Sequence, residues 1–223
     1  MEHRDIKWFP LDRIQDLEKA ISQMVAGKRS MRDGIGCALG LQGLRAREVT
    51  HSLAKHFEPL NRSLYVCPCD PKTGKCQPLK HGVPRTIRLH QSLVDAIMVY
   101  RSGLGKSSKW LLPNRSGEPV KTQLLSNKGR QLLLDLGCMD DPSTRFHMLR
   151  HTCAMRLLAE TNDVMLVKRQ LGHANVQTTM HYLECIKEVP AECLVRLYAN
   201  PSSGPQVGQQ LNLFNPHGEA EAI

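Results

Sequence analysis

Two arginines, two histidines and a tyrosine recur along this chain in an order and spacing that suit one reaction. They stand in Gly43-Leu44-Arg45, in His147-Met148-Leu149-Arg150-His151, in Leu171-Gly172-His173, and at Tyr182, nine residues past the last of these histidines. A phosphodiester attacked by an oxygen nucleophile gathers negative charge on its non-bridging oxygens. Fixed donors aimed at those oxygens lower the barrier most. Arginine suits the task because it stays charged and its planar fork bonds two oxygens at once, so Arg45 and Arg150 are the candidates. His147 and Arg150 stand three residues apart and share one face of a helix, where they can converge on one group. His173 directly follows a glycine at the end of a helical pattern, a place that can turn a side chain into a cleft. Tyr182 offers a phenol, whose ordinary pKa near ~10 means that it needs a base or a strong positive field to act as a nucleophile at neutral pH. Each of these residues alone is more often structural or solvated. The signal lies in their combination.

The elements that must position them follow from periodicity. Leu11, Ile14, Leu17, Ile21 and Met24 recur at helical spacing and predict an amphipathic helix over 11–26. A second helix from the low thirties to 41 carries Gly34, Gly36 and Gly40, which weaken it locally and point to a close helix contact or a break. Residues 44–57 read as helical. Short strands are predicted at 63–67 and 85–89, around a stretch rich in turn formers that includes Pro68, Asp70, Pro71, Gly74 and Gly82. Helices follow at 91–102 and 121–136, with a strand-like Trp110-Leu111-Leu112 between them. A helix over 147–159 begins near Ser143 or Thr144, and one over 163–171 is stopped by Gly172. A short helix around 178–183 carries Tyr182, and another covers 190–198. From Asn200 on, Pro, Gly, Ser, Gln and Asn dominate, which predicts a disordered tail. The expected fold class is mainly α with a small antiparallel β-sheet, with one catalytic domain at 1–198 and the tail at 199–223.

Composition narrows the function. The 223 residues suffice to bury a core, and 41% hydrophobic with 23% charged residues describes an ordinary globular chain. The net charge is +9, but no Lys or Arg follows Arg196, so the 30 basic and 19 acidic residues of 1–198 give +11 there. That balance favours a polyanionic partner such as nucleic acid, although a solvated basic surface accounts for charge alone equally well. No apolar run approaches the roughly 20 residues of a membrane span. Glu2, Arg4, Asp5 and Lys7 exclude the apolar core of a secretory signal from the first residues. Eight cysteines in such a chain read as thiols. The expected location is the cytoplasm, in association with the nucleoid.

With Gly43-Leu44-Arg45, His147-x-x-Arg150-His151, Leu171-Gly172-His173 and Tyr182 in place, the chain resembles the tyrosine recombinase (phage integrase) family. Glu48, three residues after Arg45, also stands where the family has an acidic residue. The resemblance covers about residues 8–198. It implies a site-specific recombinase that cuts and rejoins DNA through a 3′-phosphotyrosine at Tyr182, with Arg45 and Arg150 on the phosphate and His147 and His173 as hydrogen-bond and acid–base partners. No metal or other cofactor is implied. Double-stranded DNA is the implied partner, bound by a homo-oligomer that becomes a tetramer on DNA, with a DNA-bending protein or second recombinase as a further partner. A family lysine precedes an arginine by five residues on a hairpin, and Lys80-His81-Gly82-Val83-Pro84-Arg85 fits that frame. Lys80 is therefore the expected general acid for the leaving 5′-oxygen, with Lys72 and Lys75 as alternatives. Arg45 comes too early for the helical domain that most members carry in front, a layout shared with the fimbrial phase-switch invertases.

Other features have blander readings. Cys67, Cys69, Cys76 and His81 could bind zinc tetrahedrally, but their spacing is poor and plain thiols are expected. Gly103-Leu104-Gly105-Lys106-Ser107 fails as a phosphate loop because Tyr100 occupies the position of its first glycine. His151 is expected to be a hydrogen-bonded structural histidine. Helix 190–198, through Leu194, Val195 and Leu197, could reach another protomer or pack on its own domain. Leu211, Leu213 and Phe214 in the tail read as incidental. Two rivals remain: a DNA-binding accessory protein of the same fold, which has no need of Tyr182 or Lys80, and a type IB topoisomerase-like relaxing enzyme, which needs no tetrameric synapsis.

Overall fold

In the computed structural model, which describes residues 7–67, 83–104, 108–141 and 144–187, the glycine-rich helix lies at the centre. The helices are α1 (Ile14–Ala26), α2 (Met31–Leu41), α3 (Ala46–Thr50), α4 (Gln91–Ser102), α5 (Thr122–Asp135), α6 (His147–Thr161), α7 (Val164–Leu171) and α8 (Gln177–Lys187). The strands are β1 (Phe57–Glu58), β2 (Ser63–Val66) and β3 (Arg85–Arg88). The mainly α fold with a small antiparallel sheet is thus present.

Every residue of α2 from Asp33 to Leu41 is buried. This helix packs against α1, α3, α4, α5 and α6. Its glycines are what allow so many neighbours. A Cβ on Gly34 would sit 2.7 Å from the backbone nitrogen of Val25 in α1, one on Gly36 would meet Leu125 of α5 at 2.7 Å, and one on Gly40 would meet the Phe146 ring at 2.6 Å. The propensity lost in α2 is returned as close packing, so these glycines mark contacts and not a break.

The sheet runs β1-β2-β3, antiparallel, with Phe57 opposite Leu64 and Leu64 opposite Ile87. Phe57, Leu64, Val66 and Ile87 point into the main core. Behind the site, a second apolar cluster joins Ala154, Met155 and Leu158 of α6 to Val167 and Leu171 of α7 and to Tyr182 of α8. Among the described residues no helix is long and apolar enough to cross a membrane.

Several boundaries differ from the sequence reading. The helix expected over 44–57 is interrupted: its α-helical part is α3, and a single 3-10 turn follows at Ala54–His56. The Ser52 carbonyl accepts from Leu111 N, and Ala54 N donates to Lys109 O, so these groups leave the helical ladder. Leu53 and Trp110 then bury each other in a small cluster of their own. Trp110 therefore forms an isolated bridge to Leu53 and not a strand. Phe57, placed at the end of that helix, instead begins β1 and is followed there by Glu58. The helix bearing Tyr182 is longer than expected. Thr144 does not cap α6, since its hydroxyl donates to Met139 O at 2.6 Å. The segment 68–82, with Cys69, Lys72, Lys75, Cys76, Lys80 and His81, lies outside the described residues, as do Ser143, residues 190–198, where a further helix is expected, and residues 199–223.

The Gly34 contact yields a test. Gly34→Ala drives a methyl into the α1 backbone, which cannot move aside as a flexible side chain could. The expected loss is about 1–3 kcal/mol, read as a lower urea midpoint with an unchanged slope. An Ala variant as stable as the parent would mean that α1 and α2 do not approach so closely.

Candidate active site

Two helix ends of the same kind create the site. At the end of α2, Leu44 N reaches back to Leu39 O (3.1 Å) and Gly43 N to Gly40 O (2.9 Å). At the end of α7, His173 N reaches back to Lys168 O (3.1 Å) and Gly172 N to Arg169 O (3.2 Å). Both turns place the glycine at positive φ, +93° for Gly43 and +67° for Gly172, where residues with a side chain are strained. The glycines of the two sequence motifs are therefore helix terminators. One throws Arg45 into the site and the other throws in His173.

The carbonyls left at these ends hold arginines. Arg150, on α6, is fully buried. Its Nη1 donates to Gly43 O, and its Nη2 donates to Leu171 O at 2.8 Å. Carbonyls at a helix C-terminus lack partners within the helix and carry partial negative charge, so they suit a cation. Arg85, at the start of β3, donates through Nε to Gln170 O (2.6 Å) and through Nη2 to Gly43 O (3.4 Å).

A single carboxylate completes the cluster. Glu48 is only 2% exposed. It accepts from Arg85 Nη1 (3.0 Å) and Nη2 (3.1 Å), from the Arg45 backbone N–H (2.8 Å), and from Arg45 Nη1 (3.3 Å). Arg150 Nη1 lies 3.7 Å from Oε2, the oxygen that also accepts from Arg85 Nη2 and the Arg45 N–H. Burial would raise the Glu48 carboxyl, but the Arg85 hydrogen bonds and charge, the Arg150 charge and the Arg45 N–H outweigh it and hold the group below its usual range. Three guanidiniums around one carboxylate leave a surplus of positive charge away from bulk water. Arg150 Nε is buried and has no hydrogen-bond partner among the described residues. Burial and Arg45 pull Arg150 down to about 9, against Glu48, so it remains charged at neutral pH.

The imidazoles and the phenol line this positive centre. His147 opens α6, and its ring meets that of His151 edge-on at 4.7 Å. His151 Nδ1 lies 2.7 Å from Tyr182 Oη. His173 Nδ1 lies 2.9 Å from the buried hydroxyl of Thr179, and its ring is parallel to that of Tyr182 at 6.4 Å. All three histidines are held below the ordinary imidazole value. Desolvation acts first, on His173 with the charges of Arg150, Arg45 and Arg85, and on His151 with that of Arg150. For His147 desolvation is joined by His151, Arg150 and Arg45, although the residue as a whole is exposed to solvent. Tyr182 is 2% exposed. Burial pushes its phenol up to about 12, against the pull of Arg150. At rest the site therefore holds charged arginines, neutral imidazoles and a neutral phenol. Beside His147 a cleft of about 560 Å³ opens, bordered by Gln123, Asn127, Arg130 and Arg145.

Arg45, His147, Arg150, His173 and Tyr182 thus come together as their spacing suggests, while Lys80 lies outside the described residues. Arg85, Thr179 and the Gly43 and Leu171 carbonyls join them without having been singled out in the sequence. Arg85 served there only to place Lys80. His151 is hydrogen-bonded as expected, but its partner is the phenol itself. Cys67 is buried, and among the described residues no three His, Cys, Asp or Glu side chains gather around a metal position.

A mainly helical domain with these residues around one buried carboxylate defines a class. Residues 9–188 match the Phage integrase family, and the chain belongs to it. Transposase A from transposon Tn554 of Staphylococcus aureus is 27% identical over 171 residues, covering 73% of this chain and 46% of the transposase. The chain thus spans less than half the length of that relative. Among solved structures, the XerA recombinase superposes with a TM-score of 0.64 at 20% identity, over 88% of this chain and 65% of that one. The Tn1549 transposon integrase, in complex with a circular intermediate DNA, superposes with a TM-score of 0.63 at 17% identity, over 81% of this chain and 62% of the integrase. At these identities the two structures establish the fold.

The buried carboxylate is directly testable. A carboxyl held below its unfolded value contributes stability that is fully present above the unfolded pKa, near ~4.3, and is lost as pH falls through the folded one. Glu48→Gln leaves three guanidiniums without their counter-charge, and the expected cost at pH 7 is about 3–5 kcal/mol. Its stability should also fall less steeply than the parent's as pH is lowered below ~4.3. Urea unfolding of both proteins across the acid range measures this, and parallel acid limbs would contradict it.

Proposed function

We propose that this protein is a site-specific DNA recombinase or integrase, acting through a 3′-phosphotyrosine at Tyr182. The observation that carries this reading is the meeting of a phenol with two arginines whose positive charge a single carboxylate leaves largely uncompensated. Arg45 and Arg150 bind the non-bridging oxygens of the scissile phosphate and stabilise the charge that builds there. The unpartnered Nε of Arg150 is a ready donor to such an oxygen. His147 and His173 hydrogen-bond the same phosphate. Thr179, by holding His173 Nδ1, leaves Nε2 of that ring for the phosphate. Tyr182 attacks phosphorus, the bond to the 5′-oxygen breaks, and Lys80 protonates that oxygen as it leaves. A 5′-hydroxyl then reverses the step and rejoins a strand. No bond energy is lost, so no nucleotide cofactor is needed.

Double-stranded DNA is the proposed substrate. The +11 charge of residues 1–198 suits its backbone, and Arg130 and Arg145 border the cleft beside His147, where a flanking phosphate can lie. Strand exchange requires more than one protomer on the DNA, so the working form is a homo-oligomer, a tetramer at synapsis, with a DNA-bending protein or second recombinase as a further partner. It acts in the cytoplasm, at the nucleoid. Residues 1–198 form the catalytic domain in this reading.

The test is covalent trapping at low salt, with nicked duplexes drawn from DNA flanking its own coding sequence. The wild type is expected to give an adduct that survives denaturant. Tyr182→Phe should give none while still binding the duplexes, with affinity falling steeply as salt rises. Binding by the wild type without any adduct would favour the accessory reading. A second prediction concerns Lys80. A duplex with sulfur in place of the bridging 5′-oxygen has a leaving group that needs no proton. Lys80→Ala should be slow on normal DNA by about 10²–10⁴-fold and close to wild type on the sulfur substrate. Equal losses on both would remove Lys80 as the general acid and bring Lys72 and Lys75 forward.

A further inference from the structure

We infer that His151 is the general base of this site: it takes the proton from Tyr182 as the phenol attacks and returns it when the strand is rejoined. The assignment rests on the recombinase reading above and adds to it the group on which the nucleophile depends.

Among the described residues, three imidazoles surround the phenol, and they differ in what they can do. His173 has one ring nitrogen committed to Thr179 and lies parallel to the tyrosine ring, a stacked arrangement and not one of proton transfer. His147 touches the edge of His151 and makes no hydrogen bond to Tyr182. His151 alone has a ring nitrogen, Nδ1, at 2.7 Å from Tyr182 Oη, the reach that proton transfer requires. It is half-buried on α6, one residue from Arg150, so the base and the phosphate-binding guanidinium are carried by the same turn.

The surroundings make the transfer conditional on substrate. The groups that face His151 are His147 and Arg150 on its own helix, Tyr182 on α8, and His173 in the turn before α8. Desolvation and the Arg150 charge keep the ring neutral in the free protein, hence able to accept. A phosphate bound to Arg150 screens that charge and adds a negative one nearby, which raises the basicity of His151 as the reaction begins. The proton moves from Oη to Nδ1, and an oxygen lone pair of Tyr182 forms the bond to phosphorus. The bond from phosphorus to the 5′-oxygen breaks with its electron pair, and that oxygen takes a proton from the general acid. Rejoining runs the same steps backwards, with His151 returning its proton to the phenol oxygen.

This geometry demands one tautomer in the free protein, with Nδ1 bare and the hydrogen on Nε2, because Nδ1 must accept from the phenol. Two-bond ¹H–¹⁵N correlation on the full chain reads it without any substrate. The Nε2–H form is expected, and an Nδ1–H ring donating to Tyr182 would overturn the assignment. The kinetic test uses His151→Gln in the full chain, with the same nicked duplexes and their 5′-sulfur counterparts. Glutamine can hydrogen-bond the phenol but cannot take its proton. With DNA affinity unchanged, adduct formation at pH 7 is expected to slow by about 10²–10⁴-fold and to rise roughly tenfold per pH unit as hydroxide supplies phenolate. The sulfur substrate should not restore it, since the proton lost is at the other end of the reaction. A Gln variant that cleaves as fast as the wild type, with an unchanged pH profile, would overturn the assignment while leaving the recombinase reading intact. No adduct from the wild type would remove both.

Discussion

The arrangement depends on a charge imbalance that the fold maintains out of water. Arg45, Arg85 and Arg150 crowd around Glu48, and one carboxylate cannot neutralise three guanidiniums. Like charges so close repel strongly where the dielectric is low. The backbone absorbs part of that cost: the ends of α2 and α7 converge on Arg150 and Arg85, and their terminal carbonyls act as fixed ligands for both. What remains is a positive centre that water does not fully screen. Burial, aided by that residual charge, keeps the histidines neutral, and the charge itself attracts an anion. It lowers the phenol less than burial raises it, so the nucleophile stays protonated until a substrate arrives.

The scaffold can be understood as the means of bringing those two helix ends together. Gly43 and Leu171 are in near contact: a Cβ on Gly43 would stand 2.9 Å from the Leu171 side chain. α2 reaches that point from the middle of the core, where its glycines let five helices close around it. α6 carries His147, Arg150 and His151 between the two ends, and the cluster of α6, α7 and α8 behind them seats the Tyr182 ring. Position in the core, more than any local preference, decides which groups face the substrate.

This explains what the sequence makes legible and what it hides. Helices with strong periodicity, such as α1 and α7, are readable from their apolar spacing. The two helix-ending glycines are visible as motif residues, and so are the side chains they launch. The pairing of Arg85 with Glu48 is not visible, because 37 residues separate them and strand position says nothing about a partner on a helix. β1 is two residues long, too short for a period, and its sequence continues the helical pattern before it. The glycines of α2 admit both contact and break until the neighbouring helices are in place. His151 stands beside Arg150 in the motif, yet its bond to Tyr182 spans 31 residues and two turns of chain that only the fold brings back together.

On this mechanism the arginines act on the charge of one phosphate. Arg45 is the best probe, because a quarter of its side chain remains exposed and the fold does not hang on it as it does on Arg150. The measurement is the rate of covalent adduct formation by wild type and Arg45→Ala, on a duplex with a normal scissile phosphate and on one where a neutral methylphosphonate replaces it. A large loss is expected on the phosphate and a much smaller one on the methylphosphonate, since a neutral group gathers less negative charge for Arg45 to stabilise. Equal losses on the two substrates would contradict it and assign Arg45 to the fold.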